Sequence, residues 1–277
     1  PRNVEVIALG RPQFELARRE AVVTTLRLVR PDVIINTAAY TQVDQAESEP
    51  DQAMLINCNG AGYVAEVASE LGVPLLHLST DYVFDGKLDR AYREDDVTNP
   101  STAYGRSKLS GEEKIRQICD RHLILRTSWI YSPFGTNFVK TMLKVSRDKD
   151  VVSVVADQWG NPTSALDIAD ALILISMRVS KDYDESFFGT FHMSGQSEAT
   201  WAEFAQAVFQ EASYLGSKHT LVRNITSAEY PTAASRPKNS ILDNTKLRRV
   251  YGFSLPDWRL SLKTCVRRIM EDNKLGL

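Results

Sequence analysis

Three side chains in this 277-residue sequence have the types and spacing of a proton relay: the Thr80 hydroxyl, the Tyr104 phenol and the Lys108 amine. Thr80 belongs to Ser79-Thr80-Asp81, which ends a short apolar run at 74–78 bounded by turn formers. Such a run reads as a buried strand that delivers Thr80 to its carboxyl end, where open parallel sheets bind ligands. Tyr104, Lys108 and Gly111 recur at helical spacing, so phenol and ammonium share one face a turn apart. A free phenol has a pKa of about 10, too high for efficient proton transfer near neutrality. A neighbouring ammonium favours the phenolate, and the Thr80 hydroxyl can hydrogen-bond the same substrate oxygen. The chemistry that follows is reduction of a ketone. Tyr104 protonates the oxygen while a nicotinamide supplies hydride to the carbon, because no side chain can.

The Y-x-x-x-K spacing alone is weak, since Tyr214 and Lys218 repeat it. Gly216 interrupts that second segment, whereas Tyr104 follows a strand and loop and begins an uninterrupted helical run. A plain helix tyrosine beside a surface lysine is the alternative, and this context disfavours it.

With 43% hydrophobic and 25% charged residues, the chain can bury a sizeable core in one large or two modest domains. A net charge of -2 leaves no footprint for nucleic acid or an anionic membrane surface. Cys58, Cys119 and Cys265 are far apart and odd in number, offering neither a disulfide framework nor zinc-ligand spacing. His77, His122, His192 and His219 likewise show no metal-like spacing. No apolar run approaches the roughly 20 residues of a membrane span and no signal-peptide pattern opens the chain, so a cytoplasmic protein is expected.

The elements that must position the relay alternate through the first two-thirds of the chain. Strands are expected at 4–8, 32–37, 73–79, 122–127 and 151–155, and helices at 20–29, 50–71, 103–119, 137–147 and 166–179. That alternation predicts an α/β fold, a Rossmann-type doubly wound parallel sheet covered on both faces. A strand at 189–193, a helix at 201–212, a short strand at 220–222 and a last helix at 258–272 predict a smaller C-terminal α/β substrate lobe. The expected division is 1–156 plus helix 165–180 for the NADP-binding domain, and 157–164 plus 181–277 for the substrate lobe.

Six blocks carry a resemblance: RPDVIINTAAYTQVDQAESEP, STDYVFDG, AYGRSKLSGE, LRTSWIY, DQWGNPT and SRPKNSILD. In this order they resemble the dTDP-4-dehydrorhamnose reductase family of the extended short-chain dehydrogenase/reductases, over nearly the whole chain. The resemblance implies NADPH-dependent reduction of dTDP-4-dehydro-L-rhamnose to dTDP-L-rhamnose, with Thr80, Tyr104 and Lys108 as the catalytic set. It also implies a strand, glycine loop and helix upstream of Val4, a segment of about twenty residues missing from this sequence. Gly60, Gly62 and Ala65 match G-x-G-x-x-A, with Asp81 roughly twenty residues later. The apolar set Ala53, Ile56, Gly60, Val64, Val67 and Leu71 continues at helical spacing through them, so a helix is expected instead of a cofactor loop.

Gly10-Arg11 stands where an acid would bind the ribose 2′-hydroxyl of NAD, and an arginine can pair with the 2′-phosphate of NADP. NADPH is therefore expected. Ala17, where the family often has an acid, keeps NADH as an alternative. Ala38, Ala39 and Tyr40 follow the strand DVIINT, and small residues there let a cofactor approach the backbone. By resemblance these residues, Tyr104 and Lys108 contact the cofactor. Val43, Asp44, Thr80, Asp81, Trp129, Arg236 and Asn239 contact the dTDP-sugar, Arg236 as a clamp for the diphosphate. The resemblance also brings a homodimer and a structural Mg2+, which no residue pattern here specifies. An acid at Asp81 keeps an epimerase or dehydratase of the same superfamily open. A non-catalytic regulatory subunit like that of methionine adenosyltransferase is the reading from a different class, although such a subunit departs at Trp129 and the TAAYTQVD loop.

Overall fold

The computed structural model describes residues 4–274. In chain order the first elements are α1 (Arg19–Val29), β1 (Ile34–Asn36), α2 (Pro50–Met54), a π-helical turn (Leu55–Gly60), α3 (Ala61–Leu71), β2 (Leu75–Thr80), α4 (Ala103–Ile118), β3 (His122–Thr127) and β4 (Ile130–Tyr131). There follow α5 (Phe138–Val145), β5 (Val151–Val155), β6 (Trp159–Gly160), β7 (Thr163–Ser164), α6 (Ala165–Val179), β8 (Gly189–His192) and β9 (Ala199–Thr200). The chain continues through α7 (Trp201–Tyr214), β10 (Leu221–Ile225), β11 (Asn239–Ser240), α8 (Thr245–Tyr251) and α9 (Trp258–Lys274).

The central sheet has the order β1-β2-β3-β8 and is parallel throughout. Side chains alternate across it with the period of two that a pleated strand imposes. Leu75 and Ile124 face one layer, packing with Val22 and Leu26 of α1, Val64 and Ala68 of α3 and Ile115 of α4. Leu76, Leu123 and Leu125 face the other, against Ile168, Leu172 and Ile175 of α6 and Leu247 of α8. Helices on both faces make the sheet doubly wound, and each fully buried Leu or Ile contributes about 1.5–3 kcal/mol. The same alternation puts His77 and Ser79 on the α4 side of β2, level with Lys108 and Glu112 of that helix.

A second core gathers Val139 and Leu143 of α5, Val152 and Val154 of β5, Phe204 and Val208 of α7 and Leu262 and Val266 of α9. β5, expected to extend the main sheet, instead pairs in parallel with β10 in a separate two-stranded sheet. β8, expected in the C-terminal lobe, is the fourth strand of the central sheet. Both strands are short and fit either place, and only tertiary pairing decides between them. The expected domain boundaries are therefore cut across by the strand pairing. The strand expected at 4–8 does not form: Val4, Val6 and Ile7 are exposed and nothing pairs with them among the described residues. A strand is a ladder, and an apolar alternating run without a neighbour has none.

The helix expected at 50–71 runs continuously through its π turn, with Gly60 and Gly62 inside it. Their role is close packing. A Cβ on Gly60 would come within 2.8 Å of the Leu16 side chain, and one on Gly62 within 2.8 Å of the Lys114 side chain. Tyr214, the other half of the repeated Y-x-x-x-K, lies exposed at the end of α7 with Lys218 paired to Asp150. Among the described residues no helix is long and apolar enough to cross a membrane.

Candidate active site

The relay residues meet at the carboxyl edge of the sheet. Thr80 is the last residue of β2, buried, level with Thr127 at the end of β3. Its hydroxyl donates to Asp81 Oδ1 at 3.0 Å and accepts from the Tyr82 N–H at 3.1 Å. Tyr104 lies in the first turn of α4, which Thr102 caps by accepting from the Gly105 N–H at 3.0 Å. Glu47 adds a second anchor by accepting the Ala103 N–H at 2.8 Å. Both bonds satisfy donors that a helix start leaves without intrahelical partners.

Burial pushes the Tyr104 phenol up and the Asp81 charge adds to that, while the Thr80 hydroxyl opposes it. This corrects the expectation of a phenol lowered by Lys108. The lysine nitrogen donates to the Leu78 carbonyl at 2.7 Å and lies 3.3 Å from His77 Nε2. A buried, protonated phenol is the form a proton donor needs at the start of a reduction. Burial brings Lys108 down to about 8, against the pull of Glu112 one turn on.

Glu112 fastens α4 to the sheet. With no exposed surface, it receives both Arg126 Nε and Nη2 at 3.0 and 2.7 Å, Arg116 Nη2 at 2.7 Å and the Ser79 hydroxyl at 2.5 Å. Burial raises its carboxyl, but these partners, Arg126 first, outweigh that and keep it low. Asn57, in the π turn, holds the other side of the site. Its amide accepts the Tyr40 N–H at 2.8 Å and donates to the Tyr40 carbonyl at 3.0 Å and the Ser107 hydroxyl at 2.9 Å. π turns recur at functional sites because they redirect a side chain without ending a helix.

Tyr40, Val43 and Tyr82 pack with Ala103 and Tyr104 in one small cluster. The half-buried Tyr82 phenol is within electrostatic reach of Asp81, Arg236, Tyr104 and Asp44, so residues almost two hundred apart in sequence converge on it. Arg236 Nη2 donates to Asp44 Oδ2 at 2.6 Å, and Asp44 Oδ1 accepts from the Ala234 N–H at 3.0 Å. Asp81 is fully buried, which raises its carboxyl to about 6 against hydrogen bonds from Ser240 and Thr80. Asp81 Oδ2, Arg236 Nη1 and Thr127 Oγ1 are buried without partners. Unpartnered buried polar atoms are costly, and a ligand would satisfy them.

Trp129 adopts φ 47°, the left-handed region a bulky residue avoids, and stacks on Trp201 with ring centroids 3.6 Å apart. Gly160 lies against the ring where a Cβ would collide with it. Asn239, expected to contact the sugar, is buried. Its amide donates to the Leu88 and Arg90 carbonyls at 2.8 and 2.7 Å and accepts from the Ile241 N–H at 2.9 Å, so it ties loops together. Gly10 and Arg11 are exposed, and no hydrogen bond or ion pair joins Arg11 to another side chain among the described residues.

A nicotinamide dinucleotide fits this edge. Ala38 is exposed and Ala39 half-buried, leaving the backbone after β1 approachable, and the Lys108 amine and Tyr104 phenol stand at the next strand. Among the described residues no group of three or more His, Cys, Asp or Glu side chains could hold a metal ion. Sequence reasoning missed Asn36, Asn57, His77, Tyr82 and Glu112. The signal for Glu112 was its helical spacing from Tyr104 and Lys108, whereas the others have meaning only through register.

A doubly wound parallel sheet carrying a Tyr-x-x-x-Lys helix at its carboxyl edge defines an extended short-chain dehydrogenase/reductase. The family profile described as RmlD substrate binding domain matches residues 1–271, and the chain belongs to that family. The dTDP-4-dehydrorhamnose reductase of Sinorhizobium fredii (strain NBRC 101917 / NGR234) is 47% identical over 272 residues, covering 98% of this chain and 92% of that one. The solved dTDP-4-dehydrorhamnose reductase of Clostridium acetobutylicum superposes with a TM-score of 0.89 at 34% identity, over 97% of this chain and 91% of that one. The Bacillus anthracis dTDP-4-dehydrorhamnose reductase, solved in complex with NADP, superposes with a TM-score of 0.84 at 36% identity, over 95% and 89%.

Proposed function

We propose that this chain catalyses the NADPH-dependent reduction of dTDP-4-dehydro-L-rhamnose to dTDP-L-rhamnose. The observation that carries the reading is the placement of Thr80, Tyr104 and Lys108 at one sheet edge, in a chain 47% identical to a dTDP-4-dehydrorhamnose reductase. NADPH, when bound, supplies the hydride to the carbonyl carbon. The protein's part is binding, orientation and the proton. Thr80 hydrogen-bonds the ketone oxygen, and Tyr104 delivers its proton to that oxygen as negative charge develops there. Lys108 hydrogen-bonds the nicotinamide ribose and returns a proton to Tyr104. Ala38, Ala39 and Tyr40 border the cofactor, with Arg11 pairing to its 2′-phosphate. Val43, Asp81 and Trp129 border the sugar. Arg236, oriented by Asp44, pairs with the diphosphate.

The four-stranded half serves the dinucleotide and the half around α5, α7 and α9 the sugar nucleotide. A cytoplasmic location and a homodimer accompany the reading, and sedimentation of the purified chain checks the latter. The deciding experiment follows the loss of reduced-nicotinamide absorbance with dTDP-4-dehydro-L-rhamnose, with mass analysis of the product. A product heavier by two hydrogens supports the reductase; no turnover by folded, dinucleotide-binding protein overturns it. Asp81, buried and raised to about 6, favours a second reading, a dehydratase using that carboxyl as its acid. Loss of water from a 4-hydroxy nucleotide sugar would identify it.

A further inference from the structure

We propose that Asn36 and His77 form a hydrogen-bond chain that sets the protonation of Lys108, with the Asn36 amide fixing the His77 proton on Nε2 and that N–H directed at the lysine nitrogen. The chain starts at a group whose direction is fixed. The Ala38 N–H can only donate, so the atom it meets at 3.2 Å is Asn36 Oδ1. This leaves Asn36 Nδ2, a donor only, facing His77 Nδ1 at 3.1 Å. His77 Nδ1 must therefore present its lone pair, and the neutral ring carries its proton on Nε2. Register makes the contact unavoidable, because Asn36 and His77 are directly paired in β1 and β2. Burial, and then the Lys108 charge, hold His77 well below its ordinary pKa, so the ring is neutral.

Nε2 lies 3.3 Å from Lys108 Nζ. Were Lys108 an ammonium, two donors would face each other; as an amine, its lone pair accepts the Nε2–H while it still donates to the Leu78 carbonyl. The other groups facing it are few. Along α4, Glu112 favours the ammonium, but Arg126 from β3, Arg116 and Ser79 share its carboxylate. Tyr104 lies one turn before, Asp81 beyond the end of β2, and the π turn contributes the uncharged Asn57. The dyad thus adds to burial in favouring the amine.

The inference rests on the proposed reduction for its consequence. When the Tyr104 O–H breaks and the substrate O–H forms, the phenolate recovers its proton from Lys108 in its ammonium form, still the larger fraction at neutral pH for a group brought down to about 8; that N–H breaks and the amine is left. A less basic lysine is the stronger acid for that step, and His77 Nε2–H stabilises the amine produced. His77 is a positioning residue: it touches neither substrate nor cofactor in this scheme.

Long-range 15N–1H correlation on histidine-labelled protein, with His77 assigned by difference from His77→Gln, reads the tautomer without any turnover. A bare Nδ1 and a protonated Nε2 are expected at neutral pH; a protonated Nδ1 or an imidazolium overturns the proposal. Asn36→Asp replaces the donor by a carboxylate, which takes the ring proton at Nδ1 and turns the Nε2 lone pair toward Lys108. The Lys108 titration, followed by 13Cε shift, should then rise by at least about one pH unit, and the alkaline limb of the kcat profile with it. An unchanged Lys108 midpoint in folded Asn36→Asp sinks the idea. Should that variant not fold, His77→Phe, which keeps the ring and removes the N–H, is expected to raise the midpoint in the same direction. A protein with the expected tautomer but no reductase activity would refute the functional reading and leave this one standing.

Discussion

At the scale of single residues, Tyr104 is expected to be indispensable and Asp81 costly. Tyr104→Phe removes one oxygen from a buried ring, and kcat should fall by about 10²–10⁴-fold while fluorescence titration shows NADPH still bound. Unchanged turnover would reassign the proton donor. Asp81 holds its proton more tightly folded than unfolded, since its carboxyl is raised from 3.8 to about 6. Its favourable contribution is complete below pH 3.8 and is lost as pH rises through about 6. At neutral pH the buried charge costs on the order of 3 kcal/mol. Asp81→Asn should therefore raise the urea midpoint at neutral pH, with the gain vanishing near pH 4, the usual aspartate value. Thr80, Tyr104 and Lys108 were legible because helical spacing and a strand end are local facts. The direction of the Tyr104 shift was not, because it depends on how deeply the ring is buried and on which carbonyl takes the Lys108 proton.

At the scale of elements, α4 is the part whose docking decides the geometry of the site. Gly111 packs on the Asn57 carbonyl so closely that a Cβ there has no room, and the obstacle is backbone. Gly111→Ala should cost about 1–3 kcal/mol by denaturant titration and reduce activity as Asn57 is displaced. Glu112→Gln leaves Arg126 buried without its carboxylate, and a loss of about 3–5 kcal/mol is expected by the same measurement. The helix itself was readable from its uninterrupted period. The π turn was not, because the apolar set passes through Ile56, Gly60 and Val64 at ordinary helical spacing, and one extra residue per turn leaves no compositional mark. The positions of β5 and β8 were equally hidden. Val-Val-Ser-Val-Val and Gly-Thr-Phe-His are both acceptable strands, and each takes a partner more than sixty residues away, β5 from later in the chain and β8 from earlier.

At the scale of the whole molecule, the Arg236–Asp44 pair joins the C-terminal loop to the loop after β1, across 192 residues of sequence. The pair is partly exposed, so its stabilising effect is small, and its value lies in aiming the guanidinium. Asp44→Asn is expected to raise KM for the sugar nucleotide about 5- to 10-fold, roughly 1–1.4 kcal/mol, with kcat nearly unchanged. A fall in kcat alone would place Asp44 in the chemical step instead. The family resemblance marked Arg236 and Asp44 separately as sugar-nucleotide contacts, but their pairing was not legible, since a loop arginine on its own reads as solvated. The stacked indoles of Trp129 and Trp201 have a consequence of another kind. Two identical chromophores held face to face couple their excited states, so the pair should produce a split circular-dichroism signal that either Trp→Phe substitution abolishes. One ring follows the central sheet and the other opens the helix α7 of the second core. The protein therefore carries its own optical gauge of the spacing between its two halves, readable while a sugar nucleotide is added and without attaching any label.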